Sequence, residues 1–238
     1  DNGLDWTSTI AIIPWNIYLF YGDSNLLADC YENIKRYVDY VDRTSPSGLT
    51  SWGRGDWVPV KSHSSKELTS SVYFYVDTKI LANAAKLFNK QEDYKHYQAL
   101  AEKIRQAIND KYLNRETGIY ASGVQTELSV PLMWGIVPKD MKAKVARNLA
   151  KKVEEAGFHL DVGVLGAKAI LNALSENGEA ETAYKVAAQD TYPSWGCWIA
   201  NGATTLLENW DLNATRDISD NHMMFGEIGG WFYKGLGG

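Results

Sequence analysis

The acid with the most chemical potential stands near the end of the chain. In "NGATTLLENWD", Asn201 to Asp211, Glu208 closes an apolar stretch and Trp210 follows it. The apolar run predicts a helix over residues 198–209, on which Asn201, Thr204, Thr205 and Glu208 share one polar stripe. Ile199, Ala203, Leu206 and Leu207 take the other sides, so the helix is expected to be buried with its polar stripe facing an interior cavity. Glu208 then sits near a helix C-terminus, where the dipole disfavours negative charge by roughly 0.3–1 kcal/mol. Burial disfavours it further. A carboxylate so placed is a stronger base, and water is the group for it to deprotonate. A salt bridge to Arg216 or Arg54 is the competing use of the same acid.

Two further stretches carry chemistry. In "SWGRGDW", Gly53 and Gly55 permit a tight turn that offers Trp52 and Trp57, with Arg54 as a donor fork and Asp56 as an acceptor. Aromatic faces against sugar C–H groups, with charged groups reading hydroxyls, make a carbohydrate subsite. A well-packed loop is the plain alternative. A phosphate loop is excluded, because no strand precedes the glycines and no Gly-Lys-Ser/Thr follows. In "DNHMMFGEIGGW", Asp220 is placed to cap a final helix over about 221–234, leaving His222 on its first turn. "HLDVG", with His159 and Asp161, carries a weaker signal of the same kind. Metalloprotease, nucleophile-elbow and paired-histidine motifs are lacking, and no oxygen-rich calcium loop is evident, so neither cofactor nor metal is expected.

These residues need elements to hold them. Asn25 to Asp42 is an amphipathic helix, with Leu26, Leu27, Cys30, Tyr31, Ile34, Tyr37, Val38 and Val41 at spacings of three and four. Similar stripes run over 93–112, after Pro138, and from about Gly178. A helix apolar on nearly all sides precedes each: 8–20, 69–88, 125–136 and 163–174. Repeated hairpins of a buried helix, a short turn and a surface helix predict an all-α toroid in two layers. The short turns fall at one end and the long Gly- and Trp-rich loops at the other, which favours a rim around a pocket over an open solenoid. "GIYASG" and "WVPV" are the strand candidates.

Composition narrows the function. A net charge of −5 with no basic face argues against nucleic acid. Polar residues interrupt every apolar run before the ~20 residues a membrane span requires. Cys30 and Cys197 are too few for a disulfide framework, though one bridge between them is left open.

The stretches "IIPWNIYLFYGDSNLLADCYENIKRYVDYV", "GRGDW", "VQTELSVPLMWGIVP", "HLDVGVLGAKAIL", "YPSWGCWIANGATTLLENWD" and "DNHMMFGEIGGWFYKGLGG" occur in that order. Together they resemble the C-terminal part of the catalytic domain of bacterial α-L-rhamnosidases, inverting glycoside hydrolases built on an (α/α)6 barrel. The resemblance implies that Glu208 matches the general base, His222 a rhamnose-contacting histidine, and Trp57 a tryptophan lining the sugar pocket. Trp195 and Asp56 fall in matching motifs as substrate-binding positions. Leu207 and Asn209 stand where a tryptophan and an arginine are common in the family. The family's general acid lies N-terminal to the matched region. Residues 1–238 are therefore expected to form one domain, most of a barrel lacking its N-terminal part, and to be inactive alone. The implied partners are a carbohydrate substrate and the remaining domains of a parent chain. The same barrel acting on another sugar, and a non-catalytic carbohydrate-binding array, are the alternatives.

Overall fold

The computed structural model describes residues 3–237 and divides into two compact units, Asp1–Gly55 with Lys66–Lys111, and Asp56–Ser65 with Tyr112–Gly238. In the first unit, α1 (Leu4–Thr7), α2 (Thr9–Tyr21) and α3 (Asn25–Thr44) precede α4 (Lys66–Leu87) and α5 (Gln91–Tyr112). Of the stripe foreseen on α3, Leu27, Tyr31, Ile34, Val38 and Val41 are in the core, Cys30 and Tyr37 are half-buried at its edge, and Leu26 is exposed. Its polar edge braces α5: the Tyr31 hydroxyl donates to Asp93 (2.8 Å), Lys35 pairs with the same carboxylate (2.6 Å), and the Tyr97 hydroxyl donates to Asp39 (2.6 Å). The Lys35 contact holds the Asp93 carboxyl below its ordinary range. Asn89 takes the left-handed conformation at the end of α4, and the Lys90 N–H closes the turn on Ala85 O (2.8 Å).

Of the two apolar helices in this unit, α4 meets expectation and α2 does not. Helix α4 is buried along nearly its whole length, including Ser70, Asp77 and Thr78. Ser8 Oγ lies 2.6 Å from both Leu4 O and Asp77 Oδ2. Burial drives the Asp77 carboxyl well above its ordinary value, and the bond from Ser8 offsets part of that. Helix α2 buries only Ala11 and Pro14, while Ile13, Leu19, Phe20 and Tyr21 are exposed. Apolarity predicted burial there, but a bare apolar face is also how an interaction surface looks.

In the second unit, the Asp56–Ser65 loop is followed by a two-stranded hairpin, β1 (Leu113–Asn114) and β2 (Ile119–Tyr120), paired antiparallel with Leu113 opposite Tyr120. Strand β2 is the one foreseen in "GIYASG". "WVPV" is instead irregular, with Val58 at φ +53°, a conformation costly for a β-branched residue. Helices α6 (Gln125–Met133), α7 (Lys142–Glu155), α8 (Val164–Ser175) and α9 (Ala180–Ala187) follow in the expected buried-then-amphipathic alternation. Then come α10 (Trp195–Ala200), a 3-10 turn (Met223–Phe225), α11 (Glu227–Trp231) and a π turn (Phe232–Leu236), so the single last helix expected over 221–234 is broken into three pieces. Glu227 docks α11 on α8 through Lys168 (3.4 Å) and Asn172 (3.2 Å), and Trp231 Nε1–H donates to Ser175 (2.8 Å). Both cysteines are free thiols.

Candidate functional site

The helix expected over 198–209 ends at Ala200. Gly202 sits at φ +89°, its N–H reaches Ile199 O (3.0 Å), and the Ala203 N–H reaches Trp198 O (3.0 Å). That pair of bonds is a Schellman terminator, and the Asn201–Gly202 dipeptide was its sequence signal. Asn201, Thr204 and Thr205 are exposed, so the foreseen inward polar stripe does not form. Glu208 consequently lies on an irregular segment, half-buried, and the helix-dipole premise is removed.

What holds Glu208 is a second segment of chain. Its N–H donates to Ser219 O (2.9 Å), and its Oε2 accepts from Ser219 N–H (3.1 Å). Two residues earlier, Leu206 O accepts from the His222 N–H (2.9 Å), and Thr205 Oγ1 bonds Asp220 O. Residues 205–208 and 219–222 thus run side by side, bringing the stretches that carry Glu208 and His222 together. His222 is not on a helix capped by Asp220. It is itself the cap of the 3-10 turn, its Nδ1 accepting the Met224 N–H (3.1 Å). With Nδ1 engaged by the backbone, Nε2 is the ring nitrogen on the opposite edge.

Asp56 is buried, and both its oxygens are spent within the fold. Oδ2 accepts from Thr126 Oγ1 and the Gly163 N–H (2.8 Å), and Oδ1 from the N–H groups of Leu165 (2.7 Å) and Gly166 (3.1 Å). This is a capping carboxylate at the N-terminus of α8, supplied from 107 residues away in sequence. Burial raises its carboxyl above the ordinary value, and the four donors offset that only in part. The next residue, Trp57, is half-buried, and its carbonyl accepts the Val164 N–H (2.9 Å). The chains approach so closely that a Cβ on Gly163 would stand 2.2 Å from Trp57 O. Gly163→Ala must push the Trp57 loop off α8 and should destabilise the protein by about 1–3 kcal/mol, read as a lowered unfolding midpoint.

Trp195 is 5% exposed, with its Nε1–H on Phe225 O (3.0 Å) and its ring edge-on to Trp210 at 5.3 Å. It belongs to a buried cluster with Trp198, Trp210 and Phe225 and offers no face to a ligand. In the other unit, Trp52 packs against Tyr37 (6.0 Å) and Tyr40 (5.7 Å), and Asp5 receives the Arg54 and Gly55 N–H groups. The weaker "HLDVG" signal is also structural, since Asp161 accepts from the Lys61 N–H (2.9 Å) and from the Ser62 N–H and hydroxyl. His159 Nε2 meets Thr191 Oγ1 at 2.8 Å. The sequence reading missed Glu127, a buried carboxylate gathering the N–H groups of Ser65, Ser122 and Gly123 and the Ser122 hydroxyl. Its position two residues into a helix that follows a glycine turn was the available hint.

Residues 1–236 match the family model described as the bacterial alpha-L-rhamnosidase 6 hairpin glycosidase domain. An alpha-L-rhamnosidase of Formosa agariphila is 29% identical over 248 residues, which cover 98% of this chain and 27% of that protein. Among solved structures, the alpha-L-rhamnosidase from Dictyoglumus thermophilum superposes with a TM-score of 0.90 at 38% identity, covering 96% of this chain and 27% of that one. The Streptomyces avermitilis alpha-L-rhamnosidase complexed with L-rhamnose gives a TM-score of 0.90 at 29% identity, over 96% of this chain and 23% of that one. The chain spans about a quarter of the length of these relatives, 27% and 23% in the two structures.

Proposed function

This chain belongs to the bacterial alpha-L-rhamnosidase six-hairpin glycosidase domain family, and on that premise we propose that its full-length protein hydrolyses terminal α-L-rhamnosides with inversion. The observation that carries the reading is the likeness, over 96% of this chain, to a relative that holds L-rhamnose. Glu208 is the proposed general base. It is half-buried, accessible to water, and anchored through one oxygen by the Ser219 N–H, which leaves the other to take a proton. A water so activated attacks the anomeric carbon from the face opposite the leaving oxygen.

An inverting site needs a second carboxyl about 6.5–9.5 Å from the first, with room for that water between them. Its proton goes to the departing oxygen. The resemblance assigns that acid to a segment N-terminal to the matched region, within the remaining domains of the parent protein. His222 and Trp57 are the proposed sugar contacts, the first through Nε2, the second through its indole face. Trp195 and Asp56, matched to the same motifs, contribute by holding the site rather than by touching substrate.

The test is a panel of aryl glycosides given to the full-length protein, with the first-formed anomer followed by NMR. Hydrolysis of the α-L-rhamnoside with β-L-rhamnose appearing first is the expected result. Preference for another sugar, α-product first, or binding without turnover would each overturn part of the proposal.

A further inference from the structure

We propose that Trp210 and Trp195 are positioning residues of one shared cluster, Trp210 holding chiefly the Glu208 segment and Trp195 chiefly the His222 turn. The proposal rests on the roles given above to Glu208 and His222. Trp210 lies two residues beyond Glu208 and is 1% exposed. Its ring stacks on Trp198 at 4.9 Å and 21° and meets Phe225 at 4.3 Å. Its Nε1–H donates to Val162 O (2.8 Å), immediately before Gly163, whose own N–H is held by Asp56. The indole therefore ties the Glu208 segment to the backbone against which the Trp57 carbonyl is also bonded.

Trp195 performs the matching task on the other side. Its Nε1–H binds Phe225 O, the last residue of the turn that His222 caps. A phenyl ring would fill only part of the space of either cluster member. Only an indole also supplies a directed N–H, and that bond sets the register of each segment. Neither side chain can stack on a sugar, because both are buried. Their influence on turnover has to pass through the segments they hold, where a shift of about 1 Å is worth up to ~10²-fold in rate.

The experiment is kinetics of Trp210→Phe and Trp195→Phe in the full-length protein with an aryl α-L-rhamnoside, corrected for folded fraction by circular dichroism. Trp231→Phe is the comparison, since Trp231 is as buried as Trp210 but its indole N–H bonds Ser175 Oγ on α8 and neither the Glu208 segment nor the His222 turn. Trp210→Phe is expected to lower kcat by about tenfold or more with KM little changed, and Trp195→Phe to raise KM by roughly the same factor with kcat largely kept. Trp231→Phe should leave both constants unaltered. Equal losses in all three variants, or parent-like constants in the first two, would overturn the assignment and leave the indoles as core only. Glu208→Gln measured alongside separates the two ideas. If it retains turnover, the base assignment falls; if it is inactive while Trp210→Phe is normal, only the positioning role falls.

Discussion

Glu208→Gln in the full-length protein is expected to lower rhamnoside turnover by about 10²–10⁴-fold, the usual worth of a positioned general base, with KM and melting temperature nearly unchanged. The substitution is isosteric. Its amide oxygen can still accept the Ser219 N–H, and the backbone bond from residue 208 to Ser219 O is untouched, so the pairing of residues 205–208 with 219–222 survives. What disappears is the ability to take a proton from water. Two accompanying readouts are specific to that loss. The limb of the pH–rate profile on which activity rises with deprotonation of the base should vanish, and azide, a nucleophile that needs no deprotonation, should recover part of the turnover. A variant with near-parental kcat, or one that loses kcat without altering the pH profile, is incompatible with Glu208 as the base.

The sequence was informative wherever a local pattern decides structure and misleading where the fold decides it. The three-and-four spacing on α3 foretold five core residues, because a helix that is polar on one side has one way to bury the other. The same logic could not separate α2 from α4: both are apolar all round, but burial depends on what packs against them, which no local pattern contains. The helix drawn through Glu208 failed for a local reason that was available. Asn201–Gly202 is a helix terminator, and the glycine's left-handed backbone outweighed the apolar residues beyond it. For the site, the stretches were legible, but the fold partners of two of their side chains were not. "GRGDW" and "PSWG" marked Asp56 and Trp195, yet their partners at Gly163–Gly166 and Phe225 stand 107 to 110 and 30 residues away. A carboxylate that caps a distant helix and one that reads a sugar hydroxyl look alike in a motif.

Asp56 is where that ambiguity can be resolved, and its replacement should have the largest effect on stability of any residue considered. All four contacts at its two oxygens are donors, so no acceptor remains for a carboxyl proton and the ionised form is the one around which the turn is built. Asp56→Ala strands three buried N–H groups and the Thr126 hydroxyl at once. Each unsatisfied donor costs about 1–3 kcal/mol, and partial relaxation brings the expected total to roughly 3–5 kcal/mol. Asp56→Asn is the sharper variant. It is the same size, but its NH2 must face two of the donors, so it should lose at least about 2 kcal/mol, visible as a lowered urea midpoint. A residue whose task was to read a sugar hydroxyl would behave in the opposite way: the amide could still bond a hydroxyl, the midpoint would hold, and only KM would rise. An unchanged midpoint for Asp56→Asn with weakened substrate affinity would therefore return Asp56 to the sugar and leave the N-terminus of α8 without its cap.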